Sequence, residues 1–205
     1  SALYNWYAAN YSTGGASIAN AGWHVPSRTE WAALITAIGG ANIGNAMKVK
    51  GRLFWNLNPT PGNNSSGFSA IGSGSRSENG SFYGLKASAY YQLSTYDIYS
   101  SNGVALMSAS GSPSGYSCYP EDTFRRLGFS VRLLKDDATD PGSYTDIDGN
   151  VYATVKISNQ VWLKSDLKVT HFSDGTPIPL VSDPVSWSAL TSAGFCYYNN
   201  TQIVN

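Results

Sequence analysis

Short apolar runs separated by turn-forming residues are the feature that most restricts how this chain can fold. Between Gly51 and Arg132 the apolar residues come in short runs, such as Leu53-Phe54-Trp55 and Val104-Ala105-Leu106-Met107, with Gly, Asn, Ser and Pro between them. Runs of this length fit short strands, and the polar clusters fit turns and loops. We therefore expect short strands joined by long ordered loops here.

The helical signals lie near the start of the chain. A first short helix is predicted by apolar residues at helical spacing, namely Leu3, Trp6, Tyr7 and Tyr11. The string Ser27-Arg28-Thr29-Glu30 has the pattern of a capping box that starts a second helix. Gly39-Gly40 then ends that helix, since glycine adopts the left-handed cap without steric cost. The predicted class is α+β, with a core that includes Trp6, Trp23, Trp31, Phe68, Phe129 and Val131.

A polar linker divides the chain into two segments. Residues 136–143 contain Pro141-Gly142 and separate an N-terminal segment, 1–135, from a C-terminal segment, 144–205. In the C-terminal segment, Asp148-Gly149-Asn150 predicts a hairpin turn. Two strands are expected near it, 151–157 and 160–163.

Composition excludes some partners and favours others. The 13 basic and 13 acidic residues cancel, so the basic excess that nucleic acid requires is missing. Charged residues make up only 13% of the chain, and Ser, Gly, Asn and Tyr take their place, as in extracellular domains and paratope-like surfaces. No apolar run reaches the ~18 residues of a membrane helix. We expect an exported protein whose signal or anchor lies outside this chain.

Motifs for catalysis, metals and cofactors are missing. His24 and His171 are too far apart in sequence to suggest a metal site, and no Gly-x-Ser-x-Gly elbow occurs. A calcium loop starting at Asp146 would need Glu at its twelfth position, where Ile157 stands. We therefore predict no enzyme activity, no catalytic or metal-binding residues and no cofactor. Cys118 and Cys196 could form one disulfide or remain separate thiols.

Several strings together resemble one known family. In the N-terminal segment they are residues 2–9, Gly22-Trp23-His24-Val25-Pro26-Ser27 and Gly128-Phe129-Ser130-Val131-Arg132. In the C-terminal segment they include 146–152 and Cys196-Tyr197-Tyr198-Asn199-Asn200. These strings are similar to those of the Fibrobacter succinogenes major paralogous domain family of exported and surface proteins of Bacteroidetes.

The resemblance implies a fold and an unusual order of segments. In the family, the part similar to 144–205 comes first and the part similar to 1–135 follows, so this chain holds one domain in inverted order. A circular permutant and a fragment of a tandem array both explain that order. The family implies a C-type-lectin-like fold, with two helices, small twisted antiparallel sheets and long ordered loops. The same fold occurs in formylglycine-generating enzymes and in the variable proteins of diversity-generating retroelements.

A tyrosine-rich stretch between Ser88 and Leu127 is the candidate binding site. Tyr supplies rigid contact area there, while Ser, Gly and Asn supply hydrogen bonds. Where the family usually has Trp-Trp-Ser-Ser-Thr, this chain has residues 91–95, Tyr-Gln-Leu-Ser-Thr, as expected of a diversified ligand site. The candidate ligand-binding residues are Tyr91, Gln92, Tyr96, Asp97, Tyr99, Tyr116, Tyr119, Glu121, Asp122 and Phe124.

The expected function is therefore a cell-surface or extracellular recognition or display module that binds a protein or glycan. Neighbouring copies of the same domain are further candidate partners, whereas nucleic acid and direct membrane insertion are not expected. Two alternatives stay open. One is a structural repeat of a surface array without its own ligand, and the other is an enzyme related to formylglycine-generating enzymes.

Overall fold

The structure is a computed structural model, and it describes residues 1–39, 43–56, 62–94, 104–108 and 125–202. Over these ranges the protein is α+β, as the sequence predicts. It has four α-helices there, two more than expected: α1 (Trp6–Ala9), α2 (Arg28–Ile38), α3 (Ile43–Met47) and α4 (Pro184–Ser188). A 3-10 helix covers Tyr198–Asn200.

The strands form three small sheets in the described ranges. They are β1 (Ala2–Tyr4), β2 (Trp23–His24), β3 (Ser73–Arg76), β4 (Phe82–Leu85), β5 (Ser88–Gln92), β6 (Val104–Ser108), β7 (Leu134–Lys135), β8 (Ser143–Thr145), β9 (Val151–Ile157), β10 (Gln160–Leu163) and β11 (Phe195–Tyr197). The strand orders are β1-β11, β2-β7-β10-β9-β8 and β4-β3-β5-β6. All strand pairs are antiparallel except β3–β5.

Helix α2 begins and ends as its sequence predicts. The Ser27 hydroxyl accepts a hydrogen bond from the Glu30 backbone N–H at 3.2 Å, and the Glu30 carboxylate accepts from the Ser27 N–H at 2.7 Å. Both halves of the capping box are thus present. Gly39 closes the helix with φ of 107°, a left-handed conformation that favours glycine.

The first helix is shorter than predicted. Leu3 lies in β1, which pairs with β11, and α1 covers a single turn that the Asn5 side chain caps by accepting from the Ala8 N–H. The helical spacing of Leu3 and Tyr11 was therefore misleading. The pairing of β1 with a strand at the other end of the chain outweighs the local helical preference. The sequence pattern could not reveal this pairing, because a strand partner that is distant in sequence leaves no local periodicity.

The predicted hairpin and its strands are confirmed. β8 and β9 pair antiparallel, with Thr145 opposite Val151 across the turn that contains Asp148 and Gly149. Strands β9 and β10 have the predicted bounds. Gly149 has φ of 79°, a conformation that a side chain would strain.

The five-stranded sheet combines both segments. β2 and β7 lie within 1–135, whereas β8, β9 and β10 lie in 143–163. Its two edges approach each other, because the ring of Trp23 on β2 lies 5.0 Å from that of Tyr144 on β8. The Asn20 side chain also donates to the Thr145 carbonyl at 3.1 Å. The sheet is therefore strongly curled around its apolar side chains.

The core draws residues from both segments. Trp31 and Trp162 are in edge-to-face contact with ring centroids 5.7 Å apart, and Phe68 packs 5.8 Å from each of them. The Leu167 N–H donates to the Val131 carbonyl at 2.9 Å. Segments 1–135 and 144–202 thus share apolar contacts and backbone hydrogen bonds.

The predicted core residues are mostly buried, with two exceptions. Trp31, Phe68, Phe129 and Val131 have at most 5% of their surface exposed. Trp6 and Trp23 are only half-buried. Trp6 lies on the one-turn helix α1, and Trp23 on an edge strand, so each keeps one side towards solvent. None of the helices in the described ranges has both the length and the apolar character that a bilayer crossing requires.

Candidate functional site

Strands β5 and β6 carry the start of the tyrosine-rich stretch. They pair antiparallel with Gln92 opposite Val104 and Ser88 opposite Ser108. Residues 93–103 connect the two strands along the chain. Residues 109–124 follow β6 in sequence and precede Arg125, so both candidate stretches are joined to this pair of strands.

Tyr91 is a core residue in this sheet. It is fully buried, and its ring lies 5.4 Å from Trp31 and 5.9 Å from Phe68. Its hydroxyl has no hydrogen-bond partner among the described residues. Burial, together with the nearby Asp166 carboxylate, raises the pKa of Tyr91 well above its ordinary value. The side chain is thus not available at the surface.

Gln92 is also buried and links three parts of the chain. Its side-chain amide donates to the Tyr4 carbonyl at 3.0 Å and to the Leu127 carbonyl at 3.1 Å. Its backbone N–H donates to the Ser130 carbonyl at 2.9 Å. Gln92 therefore fixes the start of the loop instead of presenting a side chain to a ligand. The sequence did not distinguish these positions, because apolar and polar residues alternate weakly in β5.

The other candidate ligand-binding residues lie outside the described residues. They are Tyr96, Asp97, Tyr99, Tyr116, Tyr119, Glu121, Asp122 and Phe124.

The described residues next to the two candidate stretches, Leu93, Ser94 and Arg125, lie near α1 or the residues just before α2. The Ser94 N–H donates to the Pro26 carbonyl at 2.9 Å, and the Asn10 side chain donates to the Leu93 carbonyl at 3.5 Å. At the end of the second loop, the Arg125 guanidinium lies 4.9 Å from the ring centroid of Trp6. Half-buried aromatic surface of α1 thus lies beside the points where the loops begin and end.

A buried arginine, Arg132, packs against Tyr91 of this sheet. The Arg132 side chain is inaccessible to solvent and forms an ion pair with Asp166, with Nε and Oδ1 at 2.9 Å. Its Nη1 donates to the carbonyls of Phe68 at 2.5 Å and Leu163 at 3.1 Å, and its Nη2 to that of Ser69 at 3.1 Å. Arg132 thus joins the two segments, and its guanidinium lies 5.7 Å from the ring centroid of Tyr91. Sequence reasoning missed this role, because an arginine is expected at the surface.

A second buried arginine, Arg76, also bridges the two segments. It is fully buried, and its guanidinium lies between the rings of Phe82 and Trp187, at 4.9 Å and 4.5 Å. Its terminal nitrogens donate to the carbonyls of Val181 at 2.5 Å and Ser182 at 2.8 Å. The guanidinium thereby holds the backbone before α4 against β3.

The Asp146 loop uses its carboxylate internally. Asp146 is buried and accepts from the backbone N–H groups of Asp148 at 3.1 Å and Asn150 at 2.8 Å. The Tyr152 hydroxyl donates to the same carboxylate at 2.6 Å. The carboxylate therefore closes a hairpin turn, as the sequence predicts. In the part of the chain that the structure describes, no group of three or more His, Cys, Asp or Glu residues has the arrangement of a metal site.

Cys196 has the environment of a structural thiol. It is free, buried and packed with Leu3 and Trp187. Burial raises the pKa of the Cys196 thiol to about 11, although the neighbouring Arg76 opposes that effect. A protonated, inaccessible thiol is a poor nucleophile. Cys118 lies outside the described residues.

Comparison with known proteins gives one match. Residues 1–135 match the sequence model of a family described as the Fibrobacter succinogenes major domain. No curated protein and no solved structure matches the chain. The matched range contains β5, β6 and the residues next to the candidate stretches, and it ends at the last residue of β7.

Proposed function

Because the chain belongs to the Fibrobacter succinogenes major domain family, we propose that it is a non-enzymatic recognition or display domain. It acts at the cell surface or in the extracellular space and binds a protein or glycan through the loops 95–103 and 109–124. The observation that carries the proposal is the burial of the residues next to these stretches of chain. Tyr91 and Gln92, which come shortly before residue 95, are buried, and Arg132 forms an ion pair with Asp166 of the C-terminal segment.

Fixed anchors suit a recognition loop for a physical reason. Binding sites are commonly built on loops that a rigid scaffold positions, because the scaffold limits the entropy that is lost on binding. The loop sequences contain Tyr, Ser, Gly and Asn, which supply contact area and adaptable hydrogen bonds. With eight candidate residues remaining in the loops, binding through them does not require Tyr91 or Gln92 to be exposed. The positions that deviate from the usual family string are Tyr91, Gln92 and Leu93, and all three are buried. The proposal of a diversified site of the retroelement variable-protein kind therefore rests on the composition of residues 96–103 and 109–124.

The fold that we propose is C-type-lectin-like, with its segments in inverted order. The pairing of β1 with β11 supports the inversion, since Ala2 at the start of β1 lies opposite Tyr197 at the end of β11. Joining the end of the chain to Ser1 would turn these two strands into an ordinary hairpin. A circular permutant and a tandem-array fragment both account for this arrangement, and Asn205, the other side of the join, lies outside the described residues.

The lack of enzyme activity is part of the proposal. An enzyme related to formylglycine-generating enzymes would need a reactive cysteine, whereas the described cysteine, Cys196, is buried and held protonated. A structural repeat without a ligand is the competing function, and it differs from ours in predicting no specific binding.

A binding screen tests the proposal. The purified chain is applied to glycan and protein arrays, and Kd is measured for each specific hit. Replacing Tyr96, Tyr99 or Tyr119 by Ala should weaken binding by about 1–3 kcal/mol per anchor, without changing the free energy of unfolding. Tyr83→Ala is the matched control, because Tyr83 is an exposed tyrosine on β4, at the opposite edge of this sheet from β6. The absence of any specific ligand, or equal weakening by the control, would favour the structural repeat.

A further inference from the structure

Three titratable side chains meet beside α2, and one of them comes from a distant part of the sequence. His24 lies on β2, Glu30 lies in the first turn of α2, and Asp136 directly follows β7. The His24 ring binds both carboxylates, with Nδ1 2.5 Å from Oδ1 of Asp136 and Nε2 3.1 Å from Oε1 of Glu30. The side chains are 37%, 56% and 35% exposed for His24, Asp136 and Glu30, so protons and solvent reach all three.

Both contacts of the His24 ring can be hydrogen bonds at the same time only if the ring carries two protons. A neutral imidazole carries one N–H and one lone pair, whereas an ionised carboxylate only accepts hydrogen bonds. Two carboxylates on opposite ring nitrogens can therefore both be satisfied only by the imidazolium. If His24 is neutral, one of its nitrogens presents a lone pair to a carboxylate oxygen, and one of the two contacts is lost. Histidine is the side chain whose charge ordinarily changes between pH 5 and 8.

His171, the other histidine, can keep its carboxylate contact without a second ring proton. His171 contacts a single carboxylate, with Nδ1 2.5 Å from Oδ1 of Asp148, and the same nitrogen lies 3.1 Å from the Thr170 hydroxyl. A neutral ring with its proton on Nδ1 keeps the contact to Asp148. His171 is therefore a matched control inside the same chain.

Each carboxylate bound to His24 also belongs to a structural element. Glu30 closes the capping box of α2, and although partial burial opposes ionisation, the hydrogen bonds from Ser27 and the nearby His24 hold the pKa of Glu30 below its ordinary value. Asp136 begins the connection from β7 to β8, and its backbone N–H donates to the Gly22 carbonyl at 3.0 Å. The ring thus joins the start of a helix to the start of the connection between the two segments.

The other charged and titratable groups around His24 come from each neighbouring element. Lys135, opposite Trp23 in the strand pairing, is bound to Asp137 with Nζ and Oδ2 2.6 Å apart. Arg28 lies in the first turn of α2. On the far edge of the curled sheet, Tyr144 packs against Trp23. The hydrogen bond from Lys135 holds the pKa of Asp137 below its ordinary value, and burial raises the pKa of Tyr144, so neither group changes its charge between pH 5 and 8.

We propose that His24 is a proton-operated clamp that fastens the start of α2 to the β7–β8 connection when its ring is protonated and releases one of them when it is neutral. The clamp adjoins the candidate loop 95–103, because Pro26, two residues after His24, accepts the Ser94 N–H at 2.9 Å. The proposal does not depend on the proposed function, since it concerns contacts that exist whether or not the loops bind a ligand.

Nuclear magnetic resonance of the full chain tests the clamp between pH 5.5 and 8.5. We expect the 15N shifts of the His24 ring to report two protonated nitrogens at pH 5.5 and one at pH 8.5. The amide signals of Ser27 and Asp136 should move together with the ring. His24→Gln should abolish both movements while retaining an N–H donor, and His171→Gln should leave them unchanged.

Equilibrium unfolding gives an independent result. The folding equilibrium constant of the wild type, relative to that of His24→Gln, should be about threefold to fivefold larger at pH 5.5 than at pH 8.5, the size expected of exposed ion pairs. Two results would overturn the proposal. One is a His24 ring that keeps a single proton across the range, and the other is movement of the Ser27 and Asp136 signals that persists in His24→Gln.

Discussion

Replacing Arg132 by Met tests whether its buried ion pair with Asp166 fixes the two segments together. The guanidinium donates to the Asp166 carboxylate and to the carbonyls of Phe68, Leu163 and Ser69. Met has a similar length and fills much of the same space, so the substitution removes the charge and the donors with little change in packing. It leaves the Asp166 carboxylate buried without its cation.

The expected loss follows from that uncompensated charge. Removing one partner of a buried ion pair costs about 3–5 kcal/mol. With a urea m-value of about 2 kcal/mol/M, the midpoint of unfolding should fall by roughly 1.5–2.5 M. The double variant Arg132→Met with Asp166→Leu should be more stable than the sum of the two single losses predicts, because it leaves neither charge alone.

Urea unfolding followed by tryptophan fluorescence measures these losses, since Trp31 and Trp162 are buried close to Arg132. Arg52→Met is the control, because Arg52 is exposed and should change stability by less than about 0.5 kcal/mol. A loss below about 1 kcal/mol for Arg132→Met would refute the reasoning. It would mean that water reaches the Asp166 carboxylate and that the ion pair is accessible to solvent.

Three further predictions follow from buried groups. Tyr91→Phe should leave the free energy of unfolding unchanged or raise it, since the lost hydroxyl has no partner among the described residues; a loss above about 1 kcal/mol in urea would contradict this. Gly74→Ala should destabilise more than Gly175→Ala in the same assay. Both glycines have positive φ, but a Cβ at Gly74 would lie 2.5 Å from the Tyr83 carbonyl oxygen, whereas one at Gly175 meets nothing within 4 Å. Cys196, with its pKa raised to about 11, should resist alkylation at pH 8 in the folded chain and react fully in urea, as mass spectrometry of its peptide would show. Rapid labelling without urea would point to an accessible thiol.

The sequence predicted those elements whose signals are local. Ser27, Glu30 and Gly39 mark the ends of α2, and the hairpin around Gly149 has its turn residues in order. α4 was missed although Asp183 caps it and Pro184 begins it, because the helix is too short for an apolar periodicity.

Contacts between residues that are distant in sequence could not be predicted from the local sequence pattern. The pairing of β1 with β11 converted the expected first helix into a strand and one helical turn. The burial of Tyr91 depends on Trp31 and Phe68, and that of Arg132 on Asp166, all far away in sequence. The local patterns indicated the α+β class, and the tyrosine-rich composition indicated which stretch to consider, but not which of its residues face inward.

The β1–β11 pair also has a consequence for the speed of folding. Its partners, Ala2 and Tyr197, are about 195 residues apart along the chain. Closing a loop of that length costs about 2–3 kcal/mol more conformational entropy than closing a hairpin of roughly ten residues. Non-local pairings of this kind slow folding, so β1 should dock late and refolding should end in a slow step. A rearranged chain with its ends joined and opened at 136–143 would form this pair locally, and we expect it to refold faster to the same structure.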